Sequence, residues 1–146
     1  MMSHDPTQAT IAYLDGLFGP GAGEKHCRFL ESIEHDALRA TLHRFHAIEG
    51  DTRLISVEEN YLFGMLVLCA TRSYGTATMF AKTLMHLGVP RARILEAVHR
   101  LEMWVGGVAA VEAALLIQRA IKEYETRGLA SMAAWFPGEP SGEKSR

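Results

Sequence analysis

Two stretches of the chain are almost free of charged residues, and they constrain its fold more than any other feature. Residues 61–70 contain no charge, and residues 108–117 contain one, Glu112. A helix that is apolar on nearly every side has to be covered on nearly every side. A chain of 146 residues has a core of limited size, since it buries roughly 70% of its unfolded surface. We therefore predict that copies of this chain associate into a homo-oligomer.

Helical periodicity extends over most of the remaining sequence. Apolar residues recur at helical spacing in five segments: 7–18, 24–48, 79–87, 90–105 and 108–124. Ser56 and Glu59 match a capping box that starts the helix containing residues 61–70. No strand alternation of useful length occurs. The sequence therefore predicts an all-α fold, with one helical domain over residues 1–137 and a solvated tail over residues 138–146.

Charge, targeting signals and cysteines exclude several classes of protein. The net charge is -2 and no run of five Lys or Arg residues occurs, so the basic footprint of a nucleic-acid-binding protein is missing. The N-terminal residues lack a basic segment followed by an apolar stretch, which disfavours a signal peptide, and no apolar run is long enough for a membrane span. Cys27 and Cys69 form no Cys-x-x-Cys or zinc pattern and suit a reducing compartment. We predict a cytoplasmic protein that binds neither nucleic acid nor membranes.

From Ser56 to about Ile121 the sequence resembles the carboxymuconolactone decarboxylase family, which includes the alkylhydroperoxidase D-like proteins. The similarity lies in three segments taken in order: LISVEENYLFGMLVLCATRSYG, MFAKTLMHLGVPRARILEAVHRL and MWVGGVAAVEAAL. They match the family's acid-initiated apolar helix, its helix ending in Ala-x-x-x-Gly, its Glu-Ile-x-Glu-like helix and its Tyr-x-Gly turn. The resemblance implies a compact helical bundle, assembled as trimers or hexamers, with active sites near the helix interfaces.

The chain departs from this family where the family's chemistry resides. Members that reduce peroxides carry Cys-x-x-Cys followed four residues later by His, since a thiolate attacks and a second thiol resolves the intermediate. On an ungapped alignment anchored at Gly88, these positions are Ser73, Thr76 and Phe80. Cys69 lies four residues upstream inside an apolar helix, where a thiol is usually inert. We therefore expect no thiol-dependent peroxide reduction.

Two candidate catalytic residues lie in the polar segment between two apolar helices. Arg72 can clamp a carboxylate through its planar guanidinium, with Tyr74 beside it. The alternative for Arg72 is a cap on a helix C-terminus. With amides at the start of the following helix, near Ser73 and Thr76, this segment predicts a site for a small anion.

The other two candidate catalytic residues are Glu59 and His99. Glu59 matches the family's acid if a two-residue insertion is allowed in the turn, and Tyr61 takes that place without one; a capping box explains Glu59 equally well. His99 lies three residues from both Glu96 and Glu102, so either carboxylate can orient it and raise its pKa. The alternative for His99 is an ordinary surface histidine.

The remaining polar and aromatic candidates have structural alternatives as well. Phe80 and Trp104 are candidate apolar walls of a pocket, with Phe63, although Trp104 also suits the packing of a helix end. Glu112 suits either proton transfer in apolar surroundings or a solvated stripe with Arg119. His43-x-x-His46-x-x-Glu49 has ligand spacing on one helical face, but no further ligands complete a site. We predict no metal and no cofactor.

Three functions follow from these residues. The first is a cofactor-independent, decarboxylase-like enzyme, a lyase or isomerase that uses acid-base chemistry on a small carboxylated or cyclic molecule. The second is a non-catalytic oligomeric binding module on the same scaffold, and the third is an alkylhydroperoxidase-like oxidoreductase. A cavity that joins Arg72 and His99 with Glu59 or Tyr61 favours the enzyme. A packed apolar site there favours the module.

Overall fold

The structure of the protein, a computed structural model, describes residues 6–33 and 54–132. These ranges are helical and contain no strand, which confirms the all-α prediction for them. The two ranges belong to two compact units. The predicted tail over residues 138–146 and the predicted helix beyond residue 33 lie outside the described residues. The single domain over residues 1–137 stays a prediction.

In the first unit, a helical pair is joined by a glycine turn. Helix α1 spans Pro6–Phe18 and helix α2 spans Ala22–Ile33. Gly19 and Gly21 adopt positive φ angles of 100° and 81°, which are costly for residues with a Cβ. The Asp15 carboxylate of α1 accepts a 2.7 Å hydrogen bond from the backbone N–H of Gly23. Asp15 thereby satisfies one of the orphan amides in the first turn of α2.

The second unit contains five helices and a final 3-10 turn. The helices are α3, Val57–Ala70; α4, Tyr74–His86; α5, Arg91–Arg100; α6, Glu102–Val105; and α7, Gly107–Arg127, followed by the 3-10 helix Gly128–Ser131. Helix α4 packs between α3 and α7, and α5 packs on α7. The predicted helix over 90–105 is therefore two helices, divided at Leu101. Helix α4 begins five residues earlier than the predicted run at Met79, so most of the polar segment is helical.

Helix α3 is only half covered within this chain. Its capping box is confirmed: Ser56 Oγ accepts from the Glu59 N–H at 3.1 Å, and the Ser56 N–H donates to Glu59 Oε2 at 3.0 Å. Tyr61, Met65 and Cys69 are buried. Phe63 and Val67 on the opposite face are more than half exposed, so the described residues do not supply the cover that the sequence predicts for that face, and its source stays a prediction.

A buried lysine connects α4 to the end of α7. The Lys82 side chain is 10% exposed, and its Nζ lies 2.7 Å from Glu123 Oε2. The same Nζ donates to the backbone carbonyl of Ser131 at 2.8 Å. Arg127 also pairs with Glu123, at 3.1 Å. One ammonium group thus connects three parts of the second unit: α4, α7 and the 3-10 turn.

Candidate functional site

The turn between α3 and α4 is a Schellman motif with arginine at its left-handed position. The Arg72 N–H donates to the carbonyl of Cys69 at 3.1 Å, and the Ser73 N–H donates to the carbonyl of Leu68 at 2.8 Å, the pairing that defines this helix ending. Arg72 has a φ of 59° and is the one non-glycine residue with positive φ in the described ranges. The backbone of Arg72 therefore terminates α3, while its side chain is exposed.

Replacing Arg72 with glycine is expected to stabilise the protein by about 1 kcal/mol, because a left-handed conformation costs a residue with a Cβ roughly that amount. Urea unfolding followed by circular dichroism measures the change. Arg72→Ala is the control: it removes the charge and keeps the backbone cost, so it should show no gain. A glycine variant less stable than wild type would contradict this account of the turn.

Tyr74 and Glu112 form a polar contact between α4 and α7. The Tyr74 hydroxyl donates to Glu112 Oε2 at 3.1 Å. Burial, then the hydrogen bond to Glu112 and its negative charge, raise the pKa of Tyr74, and the Arg72 charge opposes that change. Tyr74 is therefore a protonated donor at neutral pH. The carboxylate that Tyr74 holds is the protein's own, so an external anion at this turn has to compete with Glu112.

An aromatic pair fills the place that the family alignment assigns to an acid and a histidine. The rings of Tyr61 and Phe80 lie with centroids 4.6 Å apart and planes inclined at 38°. Tyr61 is 1% exposed. A Cβ on Gly64 would lie 2.7 Å from Cε2 of Phe80, so the glycine makes room for the ring. Phe80 thus packs against α3. The Tyr61 side chain is buried and Phe80 has no polar group, so neither residue offers a proton donor at the surface.

Glu59 and the two hydroxyl residues of the turn have local structural positions. The Glu59 carboxylate accepts from the Ser56 N–H in the capping box, and this contact accounts for it. Ser73 is the N-cap residue of α4, but its side chain forms no cap hydrogen bond. Thr76 lies in the first turn of α4 and is half-buried. None of the three lines the groove that contains His99.

His99 lies in a groove between α5 and α7. The groove has a volume of about 300 Å³. It is lined by five aliphatic side chains, two of them alanines, and by three polar ones: Leu95, Ala110, Val111, Ala114, Leu115, His99, Glu102 and Gln118. Glu96, one of the two predicted partners of His99, pairs instead with Arg100 through two hydrogen bonds. Glu102 shares the groove with His99.

The structure separates the predicted site into two places. Tyr74 bonds to Glu112 and lies near the Arg72 charge, whereas His99 lines the groove with Glu102. Trp104 is 85% exposed and is not part of the groove wall. Sequence reasoning did not single out Gln118 or Leu95 as site residues. Helical spacing places each set of groove residues on one face of its own segment: Leu95, His99 and Glu102, and Val111, Leu115 and Gln118. This spacing is visible in the sequence, but it does not predict that the two faces lie against each other.

Cys69 is not an activated thiol. Cys27 and Cys69 are both buried, and they do not form a disulfide. Burial raises the pKa of the Cys69 thiol to about 11, so at neutral pH Cys69 is a protonated thiol and not the thiolate that attacks a peroxide.

The described ranges contain neither a cluster of metal-ligating side chains nor a membrane-spanning helix. There, no group of three His, Cys, Asp or Glu side chains is placed to hold a metal ion. His43, His46 and Glu49 lie outside the described residues. Among the helices of residues 6–33 and 54–132, none combines the length and the apolar character that crossing a membrane requires.

No family model, curated protein or solved structure matches the chain. The similarity to the carboxymuconolactone decarboxylase family therefore rests on the sequence pattern and stays a prediction. The described residues form two candidate sites. One is the contact of Tyr74 with Glu112 beside Arg72, and the other is the groove that contains His99.

Proposed function

We propose that this chain is a non-catalytic, self-associating binding module on a helical scaffold similar to that of the carboxymuconolactone decarboxylase family. The observation that carries this choice is the ring pair of Tyr61 and Phe80. At the positions aligned with the family's acid and histidine, it supplies packing in place of proton transfer. We further propose a cytoplasmic location, because the free thiol of Cys69 persists in a reducing compartment.

The groove between α5 and α7 is the binding site in this proposal. Its volume of about 300 Å³ is at the lower end of the range for small-molecule sites, roughly 300–1,000 Å³. Leu95, Val111 and Leu115 supply an apolar wall, and Glu102 supplies a negative charge. An aliphatic chain that ends in an ammonium group has matching chemistry, since its chain removes apolar surface from water and its head pairs with a carboxylate.

The test compares two probes that differ in the sign of one charge. Hexylamine and hexanoate are titrated separately into the protein, and binding is followed by calorimetry and by NMR shifts of groove residues. We expect hexylamine to bind more tightly. Glu102→Gln should weaken hexylamine binding by about tenfold, since a charge-assisted hydrogen bond contributes roughly 1.5–3 kcal/mol.

Two controls locate the binding. Glu58→Gln removes a carboxylate from the first turn of α3 and should leave hexylamine binding unchanged. Ala114→Phe fills the groove and should abolish it. If hexanoate binds instead and Arg72→Ala removes that binding, the anion site predicted at the turn is correct and the groove proposal is wrong. Absence of binding by both probes would also overturn the proposal.

A cofactor-independent acid-base enzyme is the second candidate, favoured by one observation: His99 and Glu102 line the same groove. A histidine beside a bound molecule can transfer protons at neutral pH. Release of carbon dioxide from a small carboxylated lactone, lost in His99→Asn while the fold is retained, would favour this candidate. An oxidoreductase that depends on Cys69 is a weaker third proposal, because burial keeps the pKa of that thiol near 11.

A further inference from the structure

The outer face of α6 and α7 is apolar and exposed. Met103 and Trp104 of α6 are 86% and 85% exposed, and Val108, Val111 and Leu115 of α7 are 86%, 60% and 60% exposed. The three α7 residues recur at i, i+3 and i+7, which places them on one stripe. A typical monomer exposes a largest apolar patch of roughly 300–600 Å². One side of a stable interface buries about 800 Å², and these five large side chains supply part of such a surface.

Two opposite charges flank this stripe in a self-complementary arrangement. Glu112 and Arg119 are exposed residues of α7, seven positions apart and therefore on the same side of the helix. Within the described ranges no salt bridge involves Arg119, whereas the neighbouring Arg127 pairs with Glu123. A two-fold axis between the two positions makes α7 antiparallel to its copy and brings each Glu112 to the Arg119 of the other chain.

We propose that α7 packs against α7 of a second copy across a two-fold axis near Leu115, with two reciprocal pairs between Glu112 and Arg119. Leu115 meets its own copy at the axis. Val108 and Val111 then lie against the partner's C-terminal half of α7, where the aliphatic stems of long charged side chains cover apolar surface. Val111 and Leu115 also line the groove, so the partner's helix forms an additional wall of the groove. This inference specifies the surface for the self-association in the proposed function and rests on it.

The register follows from the charges. An axis centred between residues 111 and 112 would place the two Glu112 carboxylates beside each other, which is unfavourable because like charges in an interface cost several kcal/mol. An axis centred between residues 115 and 116 instead converts both charges of each chain into pairs. A second copy of this chain therefore fits the face better than an unrelated apolar partner, because an apolar partner would offer no opposite charges to pair with Glu112 and Arg119.

Charge reversal tests this pairing. Light scattering on the full chain at micromolar concentration should give the mass of two chains, or of a multiple of two. Glu112→Arg and Arg119→Glu should each weaken association by about 100-fold or more, because each variant creates two like-charge contacts. The double variant, Glu112→Arg with Arg119→Glu, should restore association to within about tenfold of wild type, since the two pairs form again with reversed sign.

Controls separate the interface from the fold and from ligand binding. Tyr74→Phe removes the hydrogen bond to Glu112 and should leave the mass unchanged. Phe63→Glu places a charge on the exposed face of α3 and should also leave it unchanged. A monomeric wild type, charge variants that keep the dimer mass, a double variant that stays monomeric, or dissociation by Phe63→Glu would each overturn the proposal. Hexylamine binding is measured on the same samples. Light scattering then reports whether the dimer interface is correct, and the titration reports independently whether the groove binds its ligand.

Discussion

Replacing Lys82 with methionine is expected to lower the free energy of unfolding by about 2–4 kcal/mol. The substitution removes the buried ammonium group that pairs with the Glu123 carboxylate, and it leaves the Ser131 carbonyl without its hydrogen-bond donor. In the native protein the ammonium group pairs with Glu123 at 2.7 Å and donates to the Ser131 carbonyl at 2.8 Å. Methionine retains much of the side-chain volume and can form neither contact. Urea unfolding should show this loss, and the melting temperature should fall by about 4–16 °C.

Arg91→Met is the matched control for Lys82→Met. Arg91 and Glu125 also connect separate helices, at 3.1 Å, but their side chains are 42% and 38% exposed. Exposed pairs contribute at most about 1 kcal/mol, so the control should lose far less stability. Equal losses in the two variants would show that the burial of Lys82 has no special effect.

The stability difference between Lys82→Met and wild type should also depend on pH. The hydrogen bond from Lys82, before the other charges, lowers the pKa of Glu123 in the folded protein. A carboxyl group with a lowered folded-state pKa stabilises the fold above its unfolded pKa, and the contribution is lost as the pH falls through the folded value. The difference in unfolding free energy between wild type and Lys82→Met should therefore be largest at neutral pH and should decrease at acidic pH. A difference that grows on acidification would contradict the pairing.

Replacing Gly23 with alanine is expected to destabilise the pair of α1 and α2 by about 1–3 kcal/mol. A Cβ at this position would lie 2.5 Å from the carbonyl oxygen and 2.7 Å from the Cα of Ile11. Both atoms belong to the backbone, so no rotation of a side chain relieves the overlap and the two helices have to separate. The gain in helix propensity, about 1 kcal/mol, is smaller than this cost. Thermal unfolding followed by circular dichroism measures the net effect.

Gly16→Ala provides the comparison for Gly23→Ala. Gly16 is also a helical glycine, in α1, and a Cβ there meets nothing within 4 Å. This variant should gain about 0.5–1 kcal/mol from helix propensity alone. The two substitutions are chemically identical and should have opposite signs. A gain in both would mean that α1 and α2 do not approach closely at Gly23.

The local signals of the helices were predictable from the sequence. The capping box of Ser56 and Glu59 gave the start of α3 within one residue, because caps depend on residues three positions apart. The division of the predicted 90–105 helix at Leu101 was missed, since no glycine or proline marks it. The early start of α4 was missed because Tyr74, Gly75 and Thr76 are poor helix formers, while packing against α3 and α7 holds them in a helix.

The candidate site was only partly predictable, because its members come from distant parts of the chain. Arg72 and Tyr74 were selected as neighbours in a polar segment, and they remain together. Their association with Glu112 joins residues 38 positions apart, and no pattern of spacing within one helix reports such a contact. His99 was assigned to the same pocket, whereas the structure places it in the groove of α5 and α7.

The sequence by itself determined the helical class, the main breaks and the absence of a cysteine pair at residues 73 and 76, since each of these depends on residues close together in the chain. Tertiary structure alone decided that Tyr61 and Phe80 stack, that Lys82 is buried against Glu123 and Ser131, and that α7 leaves an apolar stripe exposed. The physical reason is that an apolar pattern states how much surface a helix has to bury. Which neighbour buries it, and which part remains open, depends on how whole helices pack.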